Sequence, residues 1–474
     1  AQPQHVDGAV AAALQLGKNA GPPGAIDRGH VVGTLSNRLP RAPLKKEARR
    51  GSELSQPAGG VCHHAPMAVI RMRRVALAVV VAVALLLVLF RPMPPEVRRD
   101  AYFETLQDSL RRRGVQRPAL VLDLDRLDGN LAQLRQVLGT DLQYRATTKS
   151  LPSYELLRHV LVAMGSQRVM EFHAPYLTPL IDAIVTPSGA VADGAGGAAG
   201  PGKLLPHLDV LLGKPIPAPE VDAFYASPPS PDKLAATQLR WLIDHSERLA
   251  EYLAIAERRG VRMDLVIELD IGLHRGGVAE PASLRKLVET IEAHPQRLRL
   301  TGVMGYEGHV AHAPPLLKSE EGAQASAFAQ AMERLTGQVR FLQSTFPAYA
   351  RPDFLINSGG SKTFPRFRQG GHVVGSANEL AVGSALLKPA DFDAPILAAL
   401  QPALFVADPV LKRMSPGQLP VAEWAGTLWR IWDRGREDVL YVYGGGWDVR
   451  PVYPAGLRSN PLYNSRPVDT RIPN

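Results

Sequence analysis

From about Pro118 to Leu387, short apolar runs alternate with helix-length amphipathic stretches, and that alternation leaves few folds open to the chain. Such runs read as buried parallel strands joined by crossover helices. Candidate barrel strands fall at residues 142–147, 168–172, 209–212, 239–243, 264–270, 300–304, 353–357 and 379–387. Ahead of them, residues 119–124 read as a further strand, and residues 127–138 as a helix with Leu131, Leu134 and Leu138 on one face. Eight strands separated by helices predict an α/β fold, a (β/α)8 TIM barrel over residues 117–393, with its site at the C-terminal ends of the strands. Past Asp393 the pattern changes to β-type runs at 403–407, 426–431 and 439–443, which predict a smaller C-terminal β domain over 394–474. Residues 189–202, almost all Gly, Ala and Pro, read as a surface insertion.

The 474 residues carry a formal charge of +9, which suggests nucleic acid until the charge is located. Residues 1–100 hold 14 Lys+Arg against 6 Asp+Glu, leaving 40 against 39 for the rest, so the folded part offers no basic surface to a polyanion. Nucleic acid is excluded as a partner. Cys62 is the sole cysteine and precedes the barrel, so cysteine usage is compatible with either side of a membrane. Three adjacent residues, Cys62-His63-His64, cannot by themselves make a tetrahedral metal site, and no metal is expected.

Residues 1–66 lack hydrophobic periodicity and read as a disordered or upstream segment. Then Arg71-Met72-Arg73-Arg74 precedes an uncharged run from Val75 to Phe90, followed by Arg91-Pro92. A basic segment, an apolar segment and no small-x-small cleavage site predict a signal anchor within residues 67–95. Its charge bias predicts an inner-membrane anchor helix with the barrel on the periplasmic side.

Residues able to do chemistry collect just after the candidate strands: Lys149, His173, Lys214, Arg275, Tyr306, His309 and the stretch 357–363. A lysine amine can form a Schiff base with a carbonyl compound. Glycines beside hydroxyl residues let backbone N–H groups approach an anion.

The run Pro118-Ala-Leu-Val-Leu-Asp-Leu-Asp125 with Arg145-Ala-Thr-Thr-Lys149-Ser-Leu-Pro152 resembles the opening of the alanine racemase and D-threonine aldolase superfamily, the barrel-type (fold type III) pyridoxal phosphate enzymes. Glu268-Leu-Asp-Ile-Gly-Leu-His-Arg275-Gly-Gly277, Gly302-Val-Met-Gly-Tyr-Glu-Gly-His309 and Asn357-Ser-Gly-Gly-Ser-Lys-Thr363 resemble its later strand-end motifs, in the family's order. The resemblance implies pyridoxal 5'-phosphate on Lys149, with Arg145, Arg275 and Tyr306 about the cofactor and Asn357, Ser358, Gly359, Gly360, Ser361 and Thr363 as its phosphate cradle. Lys149, Tyr306 and His309 become the candidate catalytic residues, and His173 and Lys214 further bases.

Two features depart from the family pattern. The stretch Leu380-Ala-Val-Gly383 has no arginine for the pyridine nitrogen, and no His-x-Asp or His-x-Cys metal pair follows Tyr443. The expected activity is that of a lyase (aldolase-like) or racemase at the Cα of a D- or β-hydroxy amino acid, with a small amino-acid substrate and a possible homodimer. The alternative is a pyridoxal-phosphate-binding protein of cofactor homeostasis without turnover.

Overall fold

The computed structural model describes residues 12–16, 66–91, 100–151, 153–186, 205–315, 317–414, 423–432, 439–443 and 449–453. Eight parallel strands close into a barrel: β1 (Gln143–Thr147), β2 (Arg168–Glu171), β3 (Leu208–Leu212), β4 (Thr237–Ile243), β5 (Met263–Leu269), β6 (Leu298–Gly305), β7 (Leu355–Ser358) and β8 (Glu379–Val382). The seam is β8, which sets Glu379 opposite Gln143 of β1 and opposite Asn357 of β7. All eight lie where the apolar runs predict them. Only the last expectation overran, because Gly383 turns the chain into the short helix Ser384–Leu387.

Helices α1 (Leu124–Leu138), α2 (Tyr154–Met164), α3 (Leu177–Ile184), α4 (Ala218–Ala226), α5 (Ser246–Arg259), α6 (Pro281–Glu292) and α7 (Glu320–Thr345) pack outside. Side chains that compete for backbone donors start them: Asp123 accepts from the Arg126 N–H at 3.0 Å and Ser319 from the Gly322 N–H at 3.1 Å. In α1 the buried face holds Leu127, Leu131, Leu134 and Leu138, a 3.6-residue stripe turned to the sheet.

Inside the barrel, one apolar layer is built by Met170, Leu211, Leu242, Val266, Met304, Leu355 and Ala381. On its N-terminal side lies a charged layer: Arg145 pairs with Glu379 and Asp209, Arg168 with Glu379, and Arg240 with Asp209. A cavity of about 490 Å³ opens at this end, lined by Arg168, Asp209, Arg240 and Arg299 among others. Its guanidiniums are matched by carboxylates, Arg299 by Asp264 at 2.7 Å, so the cavity has no excess charge to offer a ligand.

The barrel's flanks meet each other. Ala119–Leu122 pairs antiparallel with Leu404–Asp408 in a sheet of order Val449–Tyr453, Ala12–Leu16, Leu404–Asp408, Ala119–Leu122. Helix Ala101–Arg112 covers it through Phe103, whose ring lies 5.3 Å from Phe405 and stacks on Tyr453 at 5.0 Å. The strand at Ala12–Leu16 falls in a segment expected to be unstructured; the rest of residues 1–65 and the insertion at 189–202 lie outside the described residues. Of the expected C-terminal strands, Leu404–Asp408 and Val439–Val442 form, while 426–431 is part of the helix Glu423–Trp432. In that run Trp424, Leu428 and Ile431 recur at helical spacing, which outweighs its β-branched and aromatic content.

The run read as an anchor belongs to helix Pro66–Leu89, whose side chains from Arg74 onward are exposed. The Trp432 indole donates to the Leu87 carbonyl at 2.9 Å near the helix end. Among the described residues no helix is long and apolar enough to cross a membrane, so the expected anchor is not seen as such. Its described uncharged stretch, Val75 to Phe90, covers only ~24 Å at a helical rise, against a hydrocarbon core of about 30 Å.

Candidate active site

The C-terminal mouth of the barrel gathers the loops that follow β1 and β5 to β8. Lys149 lies in the 3-10 turn Thr148–Ser150 directly after β1, is exposed, and holds its ammonium 4.2 Å from the centroid of the Phe172 ring beyond β2. The loop after β8 packs tightly on this turn: a Cβ at Gly383 would lie 1.7 Å from Thr147 Oγ1, so only glycine fits there. Beside it the hydroxyls of Ser150 and Ser384 are 2.7 Å apart, and the Gly383 N–H donates to Ser361 Oγ at 3.2 Å. The loop after β8 thus links the turn that bears Lys149 to Ser361 of the loop after β7.

Arg275, after β5, stands 5.2 Å from the Tyr306 ring centroid and 4.0 Å from Glu268 Oε1. Burial pushes the Glu268 carboxyl up, with Arg275 working against it. Tyr306 is likewise raised by burial and by the neighbouring Glu307. The Tyr306 ring also edges onto the loop after β7: a Cβ at Gly360 would lie 3.1 Å from it and 3.1 Å from Thr363 Oγ1. Tyr306, Arg275 and Gly360 are therefore neighbours.

Other expected site residues go elsewhere. Arg145 is fully buried in the charged layer, its guanidinium bonded to Glu379, to Asp209 and to the Val169 carbonyl, and does not reach the mouth. It sits two residues before the end of its strand, and its side chain runs toward the opposite end of the barrel. Asn357 gives its amide to Glu379 Oε1 at 2.8 Å, in that same layer. Ser358 Oγ, the Gly359 N–H and Thr363 Oγ1, expected as phosphate donors, all face the carboxyl of Glu307. Glu307 is the residue the sequence reading passed over, although it stands between Tyr306 and His309 in a quoted motif. A carboxyl at such a position reads as solvent-facing until the fold buries it.

His309 packs against Gly272 and Arg334 of α7: a Cβ at Gly272 would lie 3.1 Å from its Nε2 and 2.5 Å from Arg334 Nη1. Burial and the Arg334 charge hold it below the usual histidine range, and its Nδ1 has no hydrogen-bond partner. A neutral ring nitrogen can accept a proton. His274 was missed altogether. It sits at φ 52, and its Nδ1 lies 2.7 Å from Asp270 Oδ2, so the carboxylate orients the imidazole. Burial works to raise Asp270, but the N–H groups of Gly272 and His274 and the His274 ring hold it below the usual carboxylate range. His173 stacks edge-on with Tyr176 at 4.8 Å, and Lys214 is exposed after β3. Among the described residues no three His, Cys, Asp or Glu side chains gather to hold a metal ion.

Residues 122–346 match the model of the alanine racemase N-terminal domain. No curated protein matches the chain. Among solved structures it is similar to the alanine racemase of Bacillus anthracis with bound L-Ala-P, at 14% identity over 65% of this chain and 68% of that one, TM-score 0.47. It is similar too to the D-threonine aldolase of Filomicrobium marinum, at 20% identity over 64% and 74%, TM-score 0.47. A metal-free D-threo-3-hydroxyaspartate dehydratase mutant is similar at 16% identity over 64% and 68%, TM-score 0.45. Over residues 122–346, which include most of the barrel, the chain is thus similar to the alanine racemase N-terminal domain.

Proposed function

We propose that the chain is a pyridoxal-phosphate enzyme acting at the Cα of an amino acid as a lyase or racemase, with Lys149 as the residue that carries the cofactor. The observation that supports this most is the position of Lys149: an exposed amine two residues past the first strand, on the turn against which the glycine loop after β8 is pressed.

The mouth fits the group in its donor chemistry. Gly360 and Gly383 are where the two loops pack too closely on their neighbours for a side chain, and Ser150, Ser361 and Ser384 bring hydroxyls to the same edge. These residues would hold the phosphate; Ser358, the Gly359 N–H and Thr363 are engaged by Glu307 and would not. Tyr306 and Arg275 would bound the ring. When bound, the cofactor supplies an electron sink for the pair left by a broken Cα bond. The chain's own part is to bind, orient and move protons. Arg275 is an anchor for a carboxylate, and the His274 ring, oriented by Asp270, is a proton carrier at the same rim.

The exposed apolar surface of residues 75–90 supports, in the same reading, a place for that helix out of water, with its basic end retained on the cytoplasmic side and the barrel outside. Protease added to intact spheroplasts tests this: full protection of the barrel overturns it.

The test of the main reading is borohydride treatment of purified protein incubated with pyridoxal phosphate, followed by peptide mapping. A label on Lys149 is expected, and a label on Lys214 or Lys362 overturns the assignment. A panel of D- and L-amino acids, followed for aldehyde, pyruvate and enantiomer, separates cleavage, dehydration and racemisation.

A further inference from the structure

The carboxyl of Glu307 is fully buried, and among the described residues no lysine or arginine pairs with it. An ionised carboxylate in such a place is costly, so buried charges are nearly always paired. Its surroundings can also take up a proton. Ser358 Oγ lies 3.0 Å from Glu307 Oε2 and 2.9 Å from the Gly305 carbonyl; Thr363 Oγ1 lies 2.5 Å from Glu307 Oε1 and 3.2 Å from the Gly360 carbonyl, which also accepts from the Thr363 and Phe364 N–H groups. A hydroxyl has one proton to give. A proton on Glu307 is accommodated because its O–H can donate to one hydroxyl, which then gives its own proton to the carbonyl behind. The Gly359 N–H, 3.2 Å from Oε2, completes the set.

We propose that Glu307 is a positioning residue held as a neutral carboxylic acid, whose proton completes the hydrogen-bonded frame that fixes the glycine loop 358–363 at the barrel mouth for an anion. The inference rests on the reading of that loop's edge as part of a phosphate cradle. Neutrality matters because a Cβ at Gly360 would lie only 3.4 Å from Glu307 Oε1, so an anion resting on that backbone faces the carboxyl directly. A carboxylate would repel it, and an acid does not. Burial pushes the Glu307 carboxyl up, against the hydrogen bonds from Thr363, its own backbone, Ser358 and the Gly359 N–H. The nearby charged side chains pair elsewhere, Arg275 with the Tyr306 ring and Glu268, and Lys362 with Asp391 at 3.5 Å; Tyr306 is the titratable neighbour on its own strand end. Anion affinity therefore falls as pH rises and Glu307 ionises.

The test uses the full chain. Without cofactor, the infrared difference between wild type and Glu307→Gln at neutral pH should show the stretch of a protonated carboxyl; a carboxylate signature instead overturns the proposal. With pyridoxal phosphate as probe, Glu307→Gln should keep wild-type affinity and lose the part of the pH dependence that belongs to this group. Glu307→Ala should bind about tenfold more weakly. A Gln variant as weak as Ala, or with the wild-type pH slope, overturns it. If Ala fails to fold, the infrared band and the Gln variant still decide. If the wild type takes up no pyridoxal phosphate, the cofactor reading falls, while the infrared result still judges the proton.

Discussion

The guanidinium of Arg145 forks onto the carboxylate of Glu379, Nε to Oε1 at 2.5 Å and Nη2 to Oε2 at 3.0 Å, joining the first barrel strand to the last. Both side chains are fully buried. Removing one partner strands the other in a medium that cannot solvate it, so Glu379→Gln or Arg145→Met should cost roughly 3–5 kcal/mol, read from the urea midpoint. Replacing both with apolar residues of similar volume should recover much of that loss. By contrast, Glu155→Gln, whose carboxylate meets Arg158 in open solvent, should leave the urea midpoint close to that of the wild type.

Asp209 sets an acid limit. Burial alone would raise its carboxyl, but Arg145 and Arg240 draw it down to about 2. A depressed value means stability that is fully present above the ordinary carboxylate range and is lost as pH falls through about 2. Thermal melts between neutral pH and strong acid should show that loss, on the order of 2 kcal/mol, and Asp209→Asn should remove this contribution to the acid slope while lowering stability at neutral pH.

Asn357 serves the barrel rather than the cofactor. Its Nδ2 donates to Glu379 Oε1 at 2.8 Å, so Asn357→Asp would set a carboxylate against a carboxylate in a buried layer. The expected loss is roughly 2–4 kcal/mol of unfolding free energy. In Asn357→Ala, added pyridoxal phosphate should still raise the melting temperature, as it would not if Asn357 were a phosphate ligand.

Gly383→Ala should fail at the mouth. Its Cβ would fall 1.7 Å from Thr147 Oγ1 and 2.9 Å from Ser150 Cβ, so the turn bearing Lys149 must shift. A loss of roughly 1–3 kcal/mol and weaker cofactor retention after dialysis are expected. Unchanged retention would mean that the loop after β8 takes no part in the cradle.

Much of the barrel was legible because its strands are short, apolar and separated by amphipathic helices, a pattern set by burial alone. That Lys149, Tyr306 and Gly360 lie at the barrel mouth was legible because motif order and strand ends coincide. Arg145, Asn357 and Thr363 were misplaced for one reason: a residue near a strand end can turn its side chain toward either end of the barrel or to a buried neighbour, and spacing along the chain does not record which. Glu307 and His274 were passed over because burial in one case and a left-handed backbone in the other belong to the folded chain only. The run at 426–431 was read by composition as a strand where its spacing is helical.

The seam between β8 and β1 joins residues 234 positions apart. A chain emerging from the ribosome makes Arg145 long before Glu379, and until the last strand arrives this arginine has no carboxylate from β8 to meet. The barrel cannot be tightened from its start; it waits for its end. Contacts of such sequence separation close late and slowly, so the nascent chain holds an open sheet with both edges unpaired through most of its synthesis. That interval, rather than the finished protein, is where this fold is most exposed to edge-to-edge association with other chains.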